Sequence, residues 1–186
     1  MSLLGIRVLG DPILRQATRP VEEFGEELQR LVDDMFETMK AADGIGLAAP
    51  QVGRTERLAV IDIKGERLVV INAEIVERSS ETDSQEEGCL SIPEVYGNVT
   101  RPVAVTVRAL DRHGASIEVQ ATELLARCLQ HEIDHLDGKL FIDYLSVLKR
   151  GSAMAKWTKE KAKYPNGVRI LTPQEVAQHH HRDEEL

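Results

Sequence analysis

TELLARCLQHEIDHLDG, residues 122–138, is the stretch on which the fold turns. Leu124, Leu125, Ala126, Cys128, Leu129, Ile133 and Leu136 make it apolar on nearly every side. Thr122 stands where a helix N-cap belongs and Gly138 where a helix stops. A helix apolar all round belongs inside a protein. Yet this one carries His131, Glu132 and His135. Burying such groups costs several kcal/mol unless they are paired or bind a metal.

His131 and His135 are four residues apart, so both imidazoles leave the helix from one face and can grip one ion. Glu132 lies beside that face, where a general acid/base would reach a metal-activated water. Histidine pairs at this spacing also arise by chance; the glutamate and the apolar surroundings favour a catalytic metal.

Two histidines do not complete such a site. The metzincin pattern adds a third histidine downstream, but Phe141 occupies its place. A thermolysin-like site would take a glutamate from a later helix. Glu160 is the best such residue, though it sits in a lysine-rich segment. His113 falls in a turn, and His179, His180 and His181 fall in a polar tail. Cys128, His131 and His135 would span about 10 Å of helix, too far for one ion. Cys128 therefore reads as a buried apolar-type thiol beside the site. Cys89 follows Gly88 in EEGCLSIP and is free to face the helix, giving a Cys-His-His set with one position for water.

Outward from the motif, the pattern is mixed. Phe24, Leu28, Leu31, Val32, Met35, Phe36 and Met39 recur at helical spacing and predict an amphipathic helix ending before Gly44. Gly10-Asp11-Pro12 marks a turn or helix start. GIGLAAPQVG, residues 44–53, predicts an ordered loop with close backbone approach. LAVIDI and LVVIN predict strands joined at Lys64-Gly65-Glu66; VAVTVRAL and IEVQA predict a hairpin around Asp111–Gly114. SSETDSQEEG reads as a polar turn. A basic helix is expected over about 145–163, and a loosely ordered polar tail over 166–186, leaving 1–165 as one catalytic domain. The fold class expected is α+β.

The 186 residues suit one domain. Hydrophobic content of 42% and charged content of 29% are those of a soluble globular chain. A net charge of -8 argues against nucleic-acid binding by the whole surface. Two cysteines do not make a disulfide scaffold. The first residues lack a signal-peptide pattern and no apolar run is long enough for a membrane span, so the expected location is cytoplasmic.

Taken together, GIGLAAPQ (44–51), EGCLSIP (87–93) and QHEIDHLDG (130–138) resemble the three signature motifs of the peptide deformylases, and the resemblance extends through about residue 150. It implies antiparallel sheets packed around the buried motif helix. It implies removal of the formyl group from N-formylmethionine at the start of new bacterial proteins. It implies Cys89, His131 and His135 as ligands of one divalent ion, Fe(II) commonly, with zinc, nickel or cobalt able to replace it. Glu132 would move the proton, and the Gln51 side chain and the Leu90 N–H would steady the oxyanion.

On the substrate side the resemblance makes the Gly46 backbone a partner of the peptide, and Ile45 and Cys128 help line the methionine pocket. Glu87, close to Cys89, is expected at the substrate site and to pair with Arg101, which follows at the start of a strand, steadying the ligand loop. Arg127 stands where a deformylase usually has an aliphatic residue, and is expected to snorkel to the pocket rim. Such enzymes act on chains emerging from the ribosome, and Lys149, Arg150, Lys156, Lys159, Lys161 and Lys163 suit rRNA contact. One rival is an endopeptidase using a ligand other than Cys89. Another is a non-catalytic metal module, which would require loss of Glu132, Gln51 or a ligand.

Overall fold

The computed structural model describes residues 2–172 and Val176. In chain order its elements are β1 (Ile6–Arg7), α1 (Glu26–Ala41), β2 (Gly46–Ala48), β3 (Leu58–Ile63), β4 (Glu66–Arg78), β5 (Thr82–Cys89), β6 (Ile92–Pro102), β7 (Ala104–Leu110), β8 (Ser116–Thr122), α2 (Glu123–Leu136), α3 (Val147–Glu160) and β9 (Val168–Arg169). The expected α+β class holds. A five-stranded antiparallel sheet runs β2-β3-β4-β7-β8, β5 and β6 form a separate hairpin, and β1 pairs with β9.

β3 shows how the layers are built. Ala59 and Ile61 join one apolar cluster with Ala126, Leu129, Ile133 and Leu136 of α2. Leu58 and Val60 join another with Leu31, Val32, Met35 and Met39 of α1. Both faces of the strand are thus covered, which is why LAVIDI is a continuous apolar run rather than an alternating one. Each buried Leu, Ile, Val or Met contributes roughly 1.5–3 kcal/mol. A third cluster joins Val95 and Val99 of β6 with Ala153 and Trp157 of α3 and holds the basic helix against the hairpin.

Local chemistry sets the boundaries. Asp11 caps the turn Pro12–Arg15, accepting the Ile13 N–H at 3.0 Å. Gly138, at φ 72°, ends α2 in a left-handed conformation. Thr122 is in the N-cap position, as expected, but its hydroxyl makes no capping hydrogen bond.

The structure corrects four expectations. GIGLAAPQVG is not only a loop: Gly46–Ala48 pairs with β3 and Ala49–Val52 forms a 3-10 turn. A three-residue edge strand is too short to show a period. SSETDSQEEG, read as a turn, supplies most of β5. Its side chains stay exposed through Glu86, so backbone pairing with β6 makes the strand and no buried face marks it. Arg101 lies near the end of β6, not at the start of a strand. The polar tail is ordered at its start: Arg169 and Val168 pair with Ile6 and Arg7, and Leu171 is buried. The histidines at 179–181 lie outside the described residues. Among the described residues, no helix is long and apolar enough to cross a membrane.

Candidate active site

Cys89 ends β5 and projects toward the face of α2 that carries His131 and His135. One potential ligand atom from each of the three lies within 4.8 Å of the others. Cys89 Sγ is 3.3 Å from His135 Nε2. A soft sulfur and two imidazole nitrogens are a chemically suitable donor set for a transition-metal ion or zinc. Cys89 and His131 also line the cleft, so the set opens onto it.

The competing ligands fall away. Cys128 Sγ faces the Ile45 carbonyl at 3.8 Å, and burial pushes its thiol pKa well up. Glu160 accepts from Lys163 Nζ at 2.6 Å on the far end of α3. His113 is exposed in the β7–β8 turn.

Behind the donors lies a buried ionic network. Arg101 Nε and Nη2 donate to Glu87 Oε1 and Oε2 at 2.5 and 3.0 Å. Glu87 Oε2 is also 3.0 Å from His131 Nδ1. Arg101 Nη1 donates to Asp134 at 2.9 Å, and the Tyr144 hydroxyl donates to the other oxygen of Asp134. The expected Glu87–Arg101 pair is therefore present. Glu87 does border the cleft, but its carboxylate is occupied by these partners.

Arg127 is a correction. It does not reach up to solvent at the rim: it is 9% exposed and turns inward onto Glu87. Arg127 still borders the cleft. The carboxylate of Glu87 attracts it more strongly than water does, because an unpaired buried charge is so costly.

The other expected residues converge on a cleft of about 500 Å³ lined by Ile45, Gly46, Gln51, Leu90, Cys128 and Glu132 among others. Gly46 explains its own identity. A Cβ there would collide with Glu132 Oε1 and would sit 2.8 Å from Cys128 Sγ. Only a bare backbone lets β2 lie against the side of α2 that carries Glu132 and Cys128. Gln51 is buried, with its Oε1 accepting the Ala48 N–H at 2.8 Å. Its Nε2 faces Ser91 Oγ at 3.2 Å and Cys89 Sγ at 3.6 Å.

Electrostatics separate the two glutamates. Burial raises the Glu132 carboxyl to about 7, and its Oε2 is buried with no hydrogen-bond partner. Burial works against ionised Glu87 too, but hydrogen bonds with His131 and Arg101 outweigh it and hold the carboxyl near 2. His131 responds in kind: burial opposes its charge, while Cys89 and Glu87 prevail and raise its pKa well above the ordinary value. His135 moves the other way: burial, then the charges of His131 and Arg101, push its pKa well below the ordinary value.

Sequence reasoning missed Ser91, Asp134 and Tyr144. Asp134 lies inside the motif and could have been suspected; Ser91 and Tyr144 are ordinary polar residues until the fold brings them in.

A profile of the polypeptide deformylase family matches residues 3–151. The chain is 51% identical over 169 residues to the peptide deformylase of Hydrogenovibrio crunogenus, covering 89% of this chain and 99% of that protein. It is 51% identical over 164 residues to the peptide deformylase of Rhizobium meliloti, covering 86% and 94%. The crystal structure of a Legionella pneumophila peptide deformylase superposes with a TM-score of 0.84 at 50% identity, covering 89% of this chain and 99% of that one. A Synechococcus elongatus peptide deformylase in complex with actinonin gives 0.80 at 43%, covering 82% and 86%.

Proposed function

The chain belongs to the polypeptide deformylase family, and from that premise we propose that Cys89, His131 and His135 hold its divalent ion and that Glu132 moves the proton. The activity is hydrolysis of the formyl group from the N-terminal formylmethionine of nascent proteins, releasing formate, and the family is metal-dependent. The observation that carries the site assignment is the convergence of the three donor atoms within 4.8 Å, at the edge of the cleft.

A divalent ion bound there supplies Lewis-acid activation of water and of the formyl carbonyl. The chain's own residues do the rest. Glu132, with an unpartnered buried oxygen and a raised pKa, accepts the proton of the attacking water and returns it to the departing amine. Gln51 is held by Ala48 and Ser91, leaving the edge of its amide beside Cys89 as a donor to the oxyanion. The Leu90 N–H, in the turn after Cys89, is the second donor. The Gly46 backbone receives the extended peptide, and Ile45 and Cys128 line the methionine side chain's pocket. Glu87 orients His131 and borders the cleft at the substrate site.

The finer assignments follow the same reasoning. The ion is Fe2+, with Zn2+, Ni2+ and Co2+ able to replace it, since a thiolate and two imidazoles suit all four. The catalytic unit extends past residue 165 to include β9. The enzyme works in the cytoplasm on chains leaving the ribosome, which it approaches through the exposed lysines of α3.

The decisive assay is formate release from formyl-Met-Ala-Ser by anaerobically prepared protein, beside Cys89→Ala and Glu132→Gln. The parent should release formate. Glu132→Gln should keep its metal and lose about 10²–10⁴ in rate, and Cys89→Ala should lose the metal. A metal-replete parent that releases no formate would refute the reading. Ribosome contact is tested by co-sedimentation of Lys149→Glu/Lys159→Glu, because deleting α3 would also remove buried Trp157. Unchanged binding at low salt would exclude docking through these lysines.

A further inference from the structure

Arg127 is rooted in α2, yet its guanidinium serves the β5–β6 hairpin. Nη1 donates to Glu87 Oε1 and to the Val99 carbonyl, both at 2.8 Å, and Nη2 donates to the Asp83 carbonyl at 2.9 Å. Asp83 and Glu87 belong to β5 and Val99 to β6. One side chain therefore ties the helix that carries His131 and His135 to both strands of the hairpin that carries Cys89.

We propose that Arg127 is a positioning residue for the metal site, acting as a tether that fixes the spacing between Cys89 and the two histidines. The proposal rests on the ligand assignment above. Neutralising Glu87 does not require Arg127, because Arg101 already meets that carboxylate with two hydrogen bonds. The two carbonyl contacts are what a tether makes and a counter-ion does not. Arg127 also joins Arg101 on Oε1 of Glu87, which stops the carboxylate from rotating and leaves Oε2 on His131 Nδ1. That contact leaves Nε2 as the nitrogen for the ion. Other polar ties between α2 and the hairpin are Arg101 to Asp134, Glu87 to His131, Cys89 Sγ to His135 Nε2, and Gln130 Nε2 to the Pro102 carbonyl. None of them reaches the stretch of β5 around Asp83.

The test compares the parent with Arg127→Met, which keeps the stem and removes the donors, and with Arg127→Lys, which keeps the charge but cannot bridge both strands. Zinc-loaded protein is mixed with excess chromogenic chelator to time metal loss. The thermal midpoint is measured for metal-free and zinc-loaded forms. Arg127→Met should release zinc about 10–100-fold faster, the usual effect of losing a group that orients a ligand. The rise in midpoint on adding zinc should shrink. Arg127→Lys should fall between.

Equal loss of midpoint in the metal-free and loaded forms, with unchanged zinc release, would reduce Arg127 to packing and overturn the proposal. If Arg127→Met does not fold, Arg127→Lys decides: parent-like release means charge alone suffices and the tether is wrong. A parent that itself retains no zinc overturns the ligand assignment, and the role of Arg127 with it.

Discussion

Glu87 and Arg101 form a buried ion pair held by two parallel hydrogen bonds, at 2.5 and 3.0 Å, with side chains only 5% and 3% exposed. Removing Arg101 takes both of these hydrogen bonds from Glu87, leaving it Arg127 and His131, and takes the Arg101 contact from Asp134. Arg101→Ala should destabilise the protein by about 3–5 kcal/mol and lower its metal content. Urea unfolding together with metal analysis of the purified variant checks both. An unchanged midpoint and full occupancy would mean that the pair supports neither the fold nor the site.

The same pair makes stability depend on pH. The Glu87 carboxyl falls from 4.5 to about 2 on folding, so the folded state binds fewer protons than the unfolded state in that window. Its contribution is present in full above 4.5 and is lost as the pH falls toward 2. The urea midpoint should drop steadily across this range, and Glu87→Gln should show a shallower drop. Parallel pH profiles for the two proteins would contradict the pairing.

Gly46→Ala introduces a methyl group where Glu132 and Cys128 already stand. Overpacking of this kind costs roughly 1–3 kcal/mol. The expected result is a folded protein with a lower thermal midpoint and a clear loss of kcat, since Glu132 must move to make room. Parent-like formate release would show that β2 and α2 can separate freely.

Gln51→Ala should retain metal and bind substrate with little change, yet lose about 10²–10³ in kcat, as expected when one oxyanion donor is removed. Steady-state formate release on metal-matched samples measures it. A change confined to KM would assign Gln51 to substrate binding.

The helices and central strands were legible because burial leaves a period. The heptad-like spacing of Leu28, Leu31, Val32 and Met35, and the apolar run of LAVIDI, each reflect a covered face. β5 was not legible, because its side chains point mostly into water and its order comes from backbone pairing with β6. At the site, Cys89 emerged by elimination together with a chemical argument. Glu87 and Arg101 were paired from charge and proximity to the ligand. Arg127 was misread because sequence shows that a charge interrupts an apolar helix but not which way it turns. Its direction depends on Glu87, Asp83 and Val99, residues 28–44 positions away.

The pairing of β1 with β9 has a temporal side. Ile6 and Arg7 leave the ribosome early, while Arg169 and Val168, their strand partners, come 161–163 residues later. Until then Ile6, fully buried in the finished fold, has no strand to lie against. Arg169 is also one of the residues that border the cleft. That part of the cleft wall therefore forms only after β9 has been made and has paired with β1, long after the stretches that carry Cys89, His131 and His135.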